Sequence, residues 1–116
     1  MKIGFVIRTG PYSNQNIDTA YELAKRAIVK GHRVEFFLYE DGTSNINKHL
    51  NPTGERNIAG RMEELIKMGA KITGCGLCAK FRGIARDTVI DGAKISGMAV
   101  LSDMLETSDR VITLGF

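Results

Sequence analysis

The chain has no tryptophan, two prolines (Pro11 and Pro52), two histidines and two cysteines among its 116 residues. Each scarcity excludes something. Without tryptophan, and with its basic residues spread among acids, it lacks the dense basic stripe with interleaved aromatics that marks a nucleic-acid-binding surface. No apolar tract approaches the length needed to span a bilayer, and Met1-Lys2-Ile3-Gly4 has no signal-peptide layout, so a cytoplasmic location with no membrane partner is expected. Two cysteines cannot form a disulfide framework, and His32 and His49 are too scattered to complete a structural zinc site with them. The loop Thr9-Gly10-Pro11-Tyr12 after the first strand has neither the Gly-x-x-x-x-Gly-Lys-Ser/Thr nor the Gly-x-Gly-x-x-Gly pattern, so a nucleotide is poorly supported and no cofactor is expected. No carboxylate pair suited to acid–base or metal work stands out among Asp18, Asp41, Asp87, Asp91 and Asp103.

What remains is ordinary for a single soluble domain spanning residues 1–116: 43% hydrophobic and 25% charged residues, with a net charge of +3. That length buries a core without disulfide or metal staples. Strands are read at Lys2–Arg8, Arg33–Tyr39, Ala70–Thr73 and Arg110–Phe116. A helix runs from Ile17 to Lys30, with Ser13, Asn14 or Asn16 as its cap and Gly31 as its stop. A second is marked by Ile58, Met62, Leu65 and Ile66, and ends at Gly69. A last helix is capped by Ser96 and carries Met98, Leu101 and Leu105 on one side. Val89 and Ile90 suit a short strand or a turn. The polar run Glu40–His49 is too long for a simple turn and is expected to hold a short helix or a mobile lid. Alternating strands and helices indicate an α/β layered fold with a mostly parallel sheet. Its right-handed crossovers bring the loops after the first three strands to one edge.

Both cysteines fall in one segment, Gly74-Cys75-Gly76-Leu77-Cys78-Ala79-Lys80-Phe81-Arg82-Gly83. A cysteine where a strand hands over to a helix meets unpaired backbone N–H groups, which favour thiolate, the form that attacks sulfur. In a reducing compartment a Cys-x-x-Cys pair is reactive or metal-binding rather than a structural bridge. Gly76 and the nearby Lys80 and Arg82 suggest a positively charged surface turn. Three chemistries compete: a dithiol redox couple, a metal site shared between protomers, and nucleophilic sulfur transfer. The plain alternative is two small buried hydrophobes. A thioredoxin arrangement fits poorly, because that motif follows a first strand and needs a later cis-proline. Thr9-Gly10-Pro11-Tyr12-Ser13 after the first strand reads as a tight turn that also lines a pocket.

Four segments together resemble the DsrE/DsrF/TusD family of small sulfur-relay proteins. They are Thr9–Tyr12; Gly31–Tyr39 with Asp41-Gly42; Cys75–Gly83; and Ser96-Gly97-Met98 with Asp109-Arg110-Val111. The resemblance implies a three-layer fold, with a parallel five-stranded sheet flanked by helices in a flavodoxin-like topology. It also implies assembly into homo-oligomers, trimers or hexamers, with a persulfide sulfur donor and a thiol acceptor protein as partners. In TusD-like members a cysteine lies eight residues before the glycine of an Arg-Gly pair. Cys75 holds that place relative to Arg82-Gly83, which implies that Cys75 carries the persulfide sulfur. Cys78 is outside that pattern and is open to resolving, disulfide-forming or packing roles. Thr9, Gly10, Tyr12, Ser13, Gly76, Lys80 and Arg82 are the expected pocket residues.

Overall fold

The computed structural model describes residues 1–115, so the end of the expected last strand, Phe116, lies outside the described residues. Five strands form one parallel sheet in the order β4-β3-β2-β1-β5. They are β1 (Lys2–Ile7), β2 (Arg33–Leu38), β3 (Lys71–Cys75), β4 (Lys94–Ser96) and β5 (Arg110–Leu114). Four α-helices connect them: α1 (Asn16–Val29), α2 (Ile58–Lys67), α3 (Gly76–Phe81) and α4 (Met98–Thr107). The chain winds outward from β1 to β4, then crosses back to place β5 beside β1. The flavodoxin-like order 2-1-3-4-5 reverses after its second strand, whereas here the reversal is the last connection. Right-handed crossovers put connections that run in opposite directions on opposite faces. This is why α1 and α2 cover one face while α4 lies on the other.

Strand alternation sorts the core accordingly. Phe5 and Ile7 of β1, Val34, Phe36 and Leu38 of β2, and Ile72 of β3 meet Ile17, Ala20, Tyr21 and Ala24 of α1 and Ile58, Met62 and Leu65 of α2. Phe5 stacks on Phe36 at a ring-centroid separation of 4.8 Å. The other phase of the same strands, Val6, Phe37 and Cys75, faces Met104 of α4. Gly4 makes the close approach of α4 possible, since a Cβ there would stand 3.2 Å from Met104 carbons and 2.9 Å from Ser108 Oγ.

Several local expectations are corrected. Gln15, not Ser13, Asn14 or Asn16, holds the position before α1, while Asn14 Oδ1 accepts from the Asn16 N–H at 2.9 Å. Ser96 belongs to β4, a three-residue strand without visible alternation, and Gly97 precedes α4. Val89 and Ile90 form no strand of the sheet; Val89 makes an isolated antiparallel bridge with Asn47. The buried residue of α4 is Met104, whereas Met98 and Leu105 are exposed. The Glu40–His49 run is no loose lid. Glu40–Ile46 is a 3₁₀ helix whose Gly42, Thr43, Asn45 and Ile46 are buried. Gly42 sits so close to β1 that a Cβ would lie 2.1 Å from the Ile7 carbonyl oxygen.

Candidate functional site: a thiol pair at the C-terminal rim of the sheet

β3 extends two residues beyond its expected end, so Cys75 is both the last residue of the strand and the residue before the first turn of α3. Its backbone is extended, φ −65° and ψ 122°. It pairs in register with Ser96 of β4, and Gly76 fits beneath the Ser96 carbonyl, 3.3 Å from where a Cβ would be. Because Lys71, Thr73 and Cys75 share one phase of β3, the Cys75 side chain faces α4 and lands against Val6, Phe37 and Met104. Only 4% of Cys75 is exposed. This corrects the expected surface turn: it is α3 that lies at the surface, with Leu77 and Phe81 62% and 76% exposed. α3 is also only six residues long, which limits the dipole it presents at its start.

Cys78 sits one turn into α3, half-buried and packed against the same small cluster as Cys75. Both sulfurs are free thiols. Burial and the neighbouring Cys75 thiol push the Cys78 thiol pKa up, against opposing pulls from the Glu40 backbone N–H and the Arg82 guanidinium. Arg82 is fixed at the end of α3: its Nη1 donates to the Cys78 carbonyl at 2.9 Å and its Nε to Asp41 Oδ1 at 2.6 Å. Arg8 and Glu40 add a second ion pair, so these four charged residues frame a small cleft at the rim. Glu40 holds a left-handed φ of 51°, which an L-residue adopts at a cost and which turns the chain from β2 into the 3₁₀ helix.

The remaining expected pocket residues divide. A Cβ on Gly10 would approach the Asp41 carbonyl oxygen to 3.3 Å, so this glycine adjoins the rim. Thr9 is buried, with its hydroxyl among Asn14 and Asn16 and its carbonyl accepting from Asn45 Nδ2 at 2.9 Å. Tyr12 packs with the α1/α2 core rather than with the cysteine cluster. Its φ is 71°, its hydroxyl donates to the Arg56 carbonyl at 2.6 Å, and the Arg56 guanidinium lies over its ring. Ser13 is exposed beside Asn14. Lys80 is exposed on α3. Sequence reasoning assigned no role to Glu40 and Asp41, although Asp41-Gly42 was part of the family likeness. It also missed Val6, Phe37 and Met104 as the walls around Cys75. Among the described residues no group of three or more His, Cys, Asp and Glu side chains is placed to hold a metal. No helix among them is long and apolar enough to cross a membrane.

A thiol pair at this rim, on a sheet of this order, directs attention to one group of proteins. Residues 1–114 match the DsrE/DsrF-like family. The chain belongs to that family. It is 30% identical to the putative sulfurtransferase DsrE of Allochromatium vinosum, over 99% of each chain. It is 26% identical to the sulfurtransferase TusD of Serratia proteamaculans, over 92% of this chain and 95% of that one. The crystal structure of the ychN protein from E. coli superposes with a TM-score of 0.87 at 24% identity, covering 98% of this chain and 99% of that one, and so shares the fold.

Proposed function

We propose that this DsrE/DsrF-like protein is a sulfur-relay protein, a sulfurtransferase that holds sulfur as a persulfide on Cys75 and passes it to an acceptor thiol. One observation carries the reading. The cysteine that the family likeness marks stands where β3 ends at the sheet's C-terminal rim, with a second free thiol beside it. Relatives named as sulfurtransferases support it. The chemistry is thiol–persulfide exchange. A cysteine thiolate attacks the outer sulfur of a donor persulfide, one S–S bond forms as another breaks, and the donor leaves as thiolate. Delivery is the same exchange with the acceptor thiolate attacking. The donor and acceptor are proteins presenting a persulfide and a thiolate respectively.

Incubation with a persulfide donor followed by intact mass measurement tests this. The wild type gains one sulfur atom that cyanide or an acceptor thiol removes, and Cys75→Ser retains none stably. Stable retention of sulfane sulfur by Cys75→Ser would refute the assignment.

The closeness of the two thiols also favours a dithiol redox reading, in which Cys75 and Cys78 close into a disulfide and reopen. That protein would lose two hydrogens on oxidation and transfer no sulfur, so the same mass measurement separates the two.

A homo-oligomeric state accords with the uncovered surfaces. One ten-residue helix, α4, lies over one face of a five-stranded sheet. It leaves a groove of about 440 Å³ lined by Glu35, Lys71, Thr73, Lys94, Val100 and Asp103. Leu77, Phe81, Met98, Leu105 and Val111 are exposed, and β5 is an edge strand.

A further inference from the structure

The two thiols are unequal in access. Cys75 is almost wholly buried against Val6, Phe37 and Met104, whereas Cys78, three residues on, is half-buried on the surface helix. They are nonetheless paired by helix geometry. Cys75 is the N-cap of α3 and Cys78 its third residue. In a capping box the side chain at each of these two positions reaches the other residue's backbone N–H, so both lie on one side of the first turn. Here both positions carry sulfur, and both side chains pack in one cluster.

We infer that Cys78 is the transfer point and Cys75 the store: sulfur enters and leaves through Cys78 and rests on Cys75. The inference rests on the persulfide reading above and assigns the second thiol its part in it. Exchange requires the attacking sulfur, the transferred sulfur and the leaving sulfur to approach a line, so access governs which thiol meets a bulky donor. A persulfide held on a protein or peptide can meet Cys78 at the rim, whereas Cys75 lies out of its direct reach behind Val6, Phe37 and Met104. The Cys78 thiolate attacks the outer sulfur of R–S–SH, giving Cys78–S–SH and R–S⁻. The Cys75 thiolate then attacks the outer sulfur of Cys78–S–SH, giving Cys75–S–SH and Cys78–S⁻. The proton released as Cys75 ionises is returned to Cys78. Each step breaks one S–S bond and makes one, with no net oxidation and no outside oxidant. Delivery runs the two steps backward. Burial then shields the stored sulfur from small reducing thiols.

The test uses glutathione persulfide as donor, quenched at intervals and read by intact mass and by peptide mass. In the wild type, sulfur appears first on Cys78 and then on Cys75. Cys78→Ser and Cys78→Ala gain sulfur about tenfold more slowly or worse, while keeping a cooperative thermal transition. Cys75→Ser accepts sulfur on Cys78 but loses it to dithiothreitol about tenfold faster than the wild type loses its own. Loading of the Cys78 variants at the wild-type rate would overturn the inference while leaving the persulfide reading intact. So would wild-type sulfur that appears first on Cys75. Release of hydrosulfide with closure of a Cys75–Cys78 disulfide would overturn it as well, because the cargo is then lost. If the wild type takes up no sulfur at all, the persulfide reading fails first and the inference falls with it.

Discussion

The Arg82 guanidinium donates to the Asp41 carboxylate at 2.6 Å, tying the end of α3 to the 3₁₀ helix after β2 across 41 residues of sequence. The pair is largely exposed, so it adds little to stability, about 0–1 kcal/mol. Its consequence is positional: it holds a cation one helical turn from Cys78 and a backbone amide, that of Glu40, within the thiol's reach.

The Cys78 titration therefore responds to both neighbours. In the wild type its alkylation by iodoacetamide rises with pH to a midpoint above the usual thiol value of about 8.5. Cys75→Ala removes a group that raises it, and the midpoint falls. Arg82→Gln removes a cation that lowers it, and the midpoint rises. A thiol whose folded pKa exceeds its unfolded one stabilises the fold below the unfolded value. That contribution is lost as pH climbs through the folded one. Peptide-resolved alkylation rates across pH check all three directions. A midpoint that rises in Cys75→Ala, or falls in Arg82→Gln, would show the local fields to be misassigned.

Met104 is fully buried between α4 and the sheet, beside Cys75. Met104→Ala removes the α4 side of that cluster and costs about 2–5 kcal/mol in urea unfolding. It also speeds labelling of Cys75 by small alkylating reagents in conditions where the fold is retained. Unchanged Cys75 labelling in a destabilised but folded variant would mean that access comes from another direction, such as movement of α3.

The Tyr12 hydroxyl joins the loop after β1 to the residues that open α2, donating to Arg56 O at 2.6 Å and standing 3.4 Å from Ile58 N. Tyr12→Phe loses this bridge and costs about 1 kcal/mol. Because the ring packs with the α1/α2 core, the alkylation rate of Cys78 stays at the wild-type value. A change in that rate would place Tyr12 in functional contact with the thiols after all.

Phe81 and Leu77 are displayed four residues apart on α3, and Met98 and Leu105 are exposed on α4. Light scattering at micromolar concentration is expected to give a mass above that of one chain, and Phe81→Asp or Leu105→Asp to lower it. Monodisperse monomer for the wild type would contradict assembly.

Much of the architecture was legible because it is locally encoded. The Ile17–Ile28 spacing defines α1, Ile58–Leu65 defines α2, and the β-branched and aromatic runs define β1 and β2. Within the site, the strand-to-helix placement of Cys75 and the proximity of Arg82 to the cysteines were also readable. β4 was not, since three residues carry no periodicity and its pairing with β3 alone makes it a strand. A short helix in the polar run after β2 was among the readings, but not that it is a 3₁₀ helix whose polar residues are buried by contacts with distant β1 and β3.

By itself the sequence determined the chemical inventory: two thiols three residues apart, no other metal-ligating or nucleotide-binding pattern, and alternating segments that must layer as α/β. Only the tertiary structure decided which cysteine is the more accessible. Strand phase pointed Cys75 inward, and the reversed final crossover put α4 over it. Those outcomes depend on register and handedness between segments far apart in the chain, which no local spacing encodes.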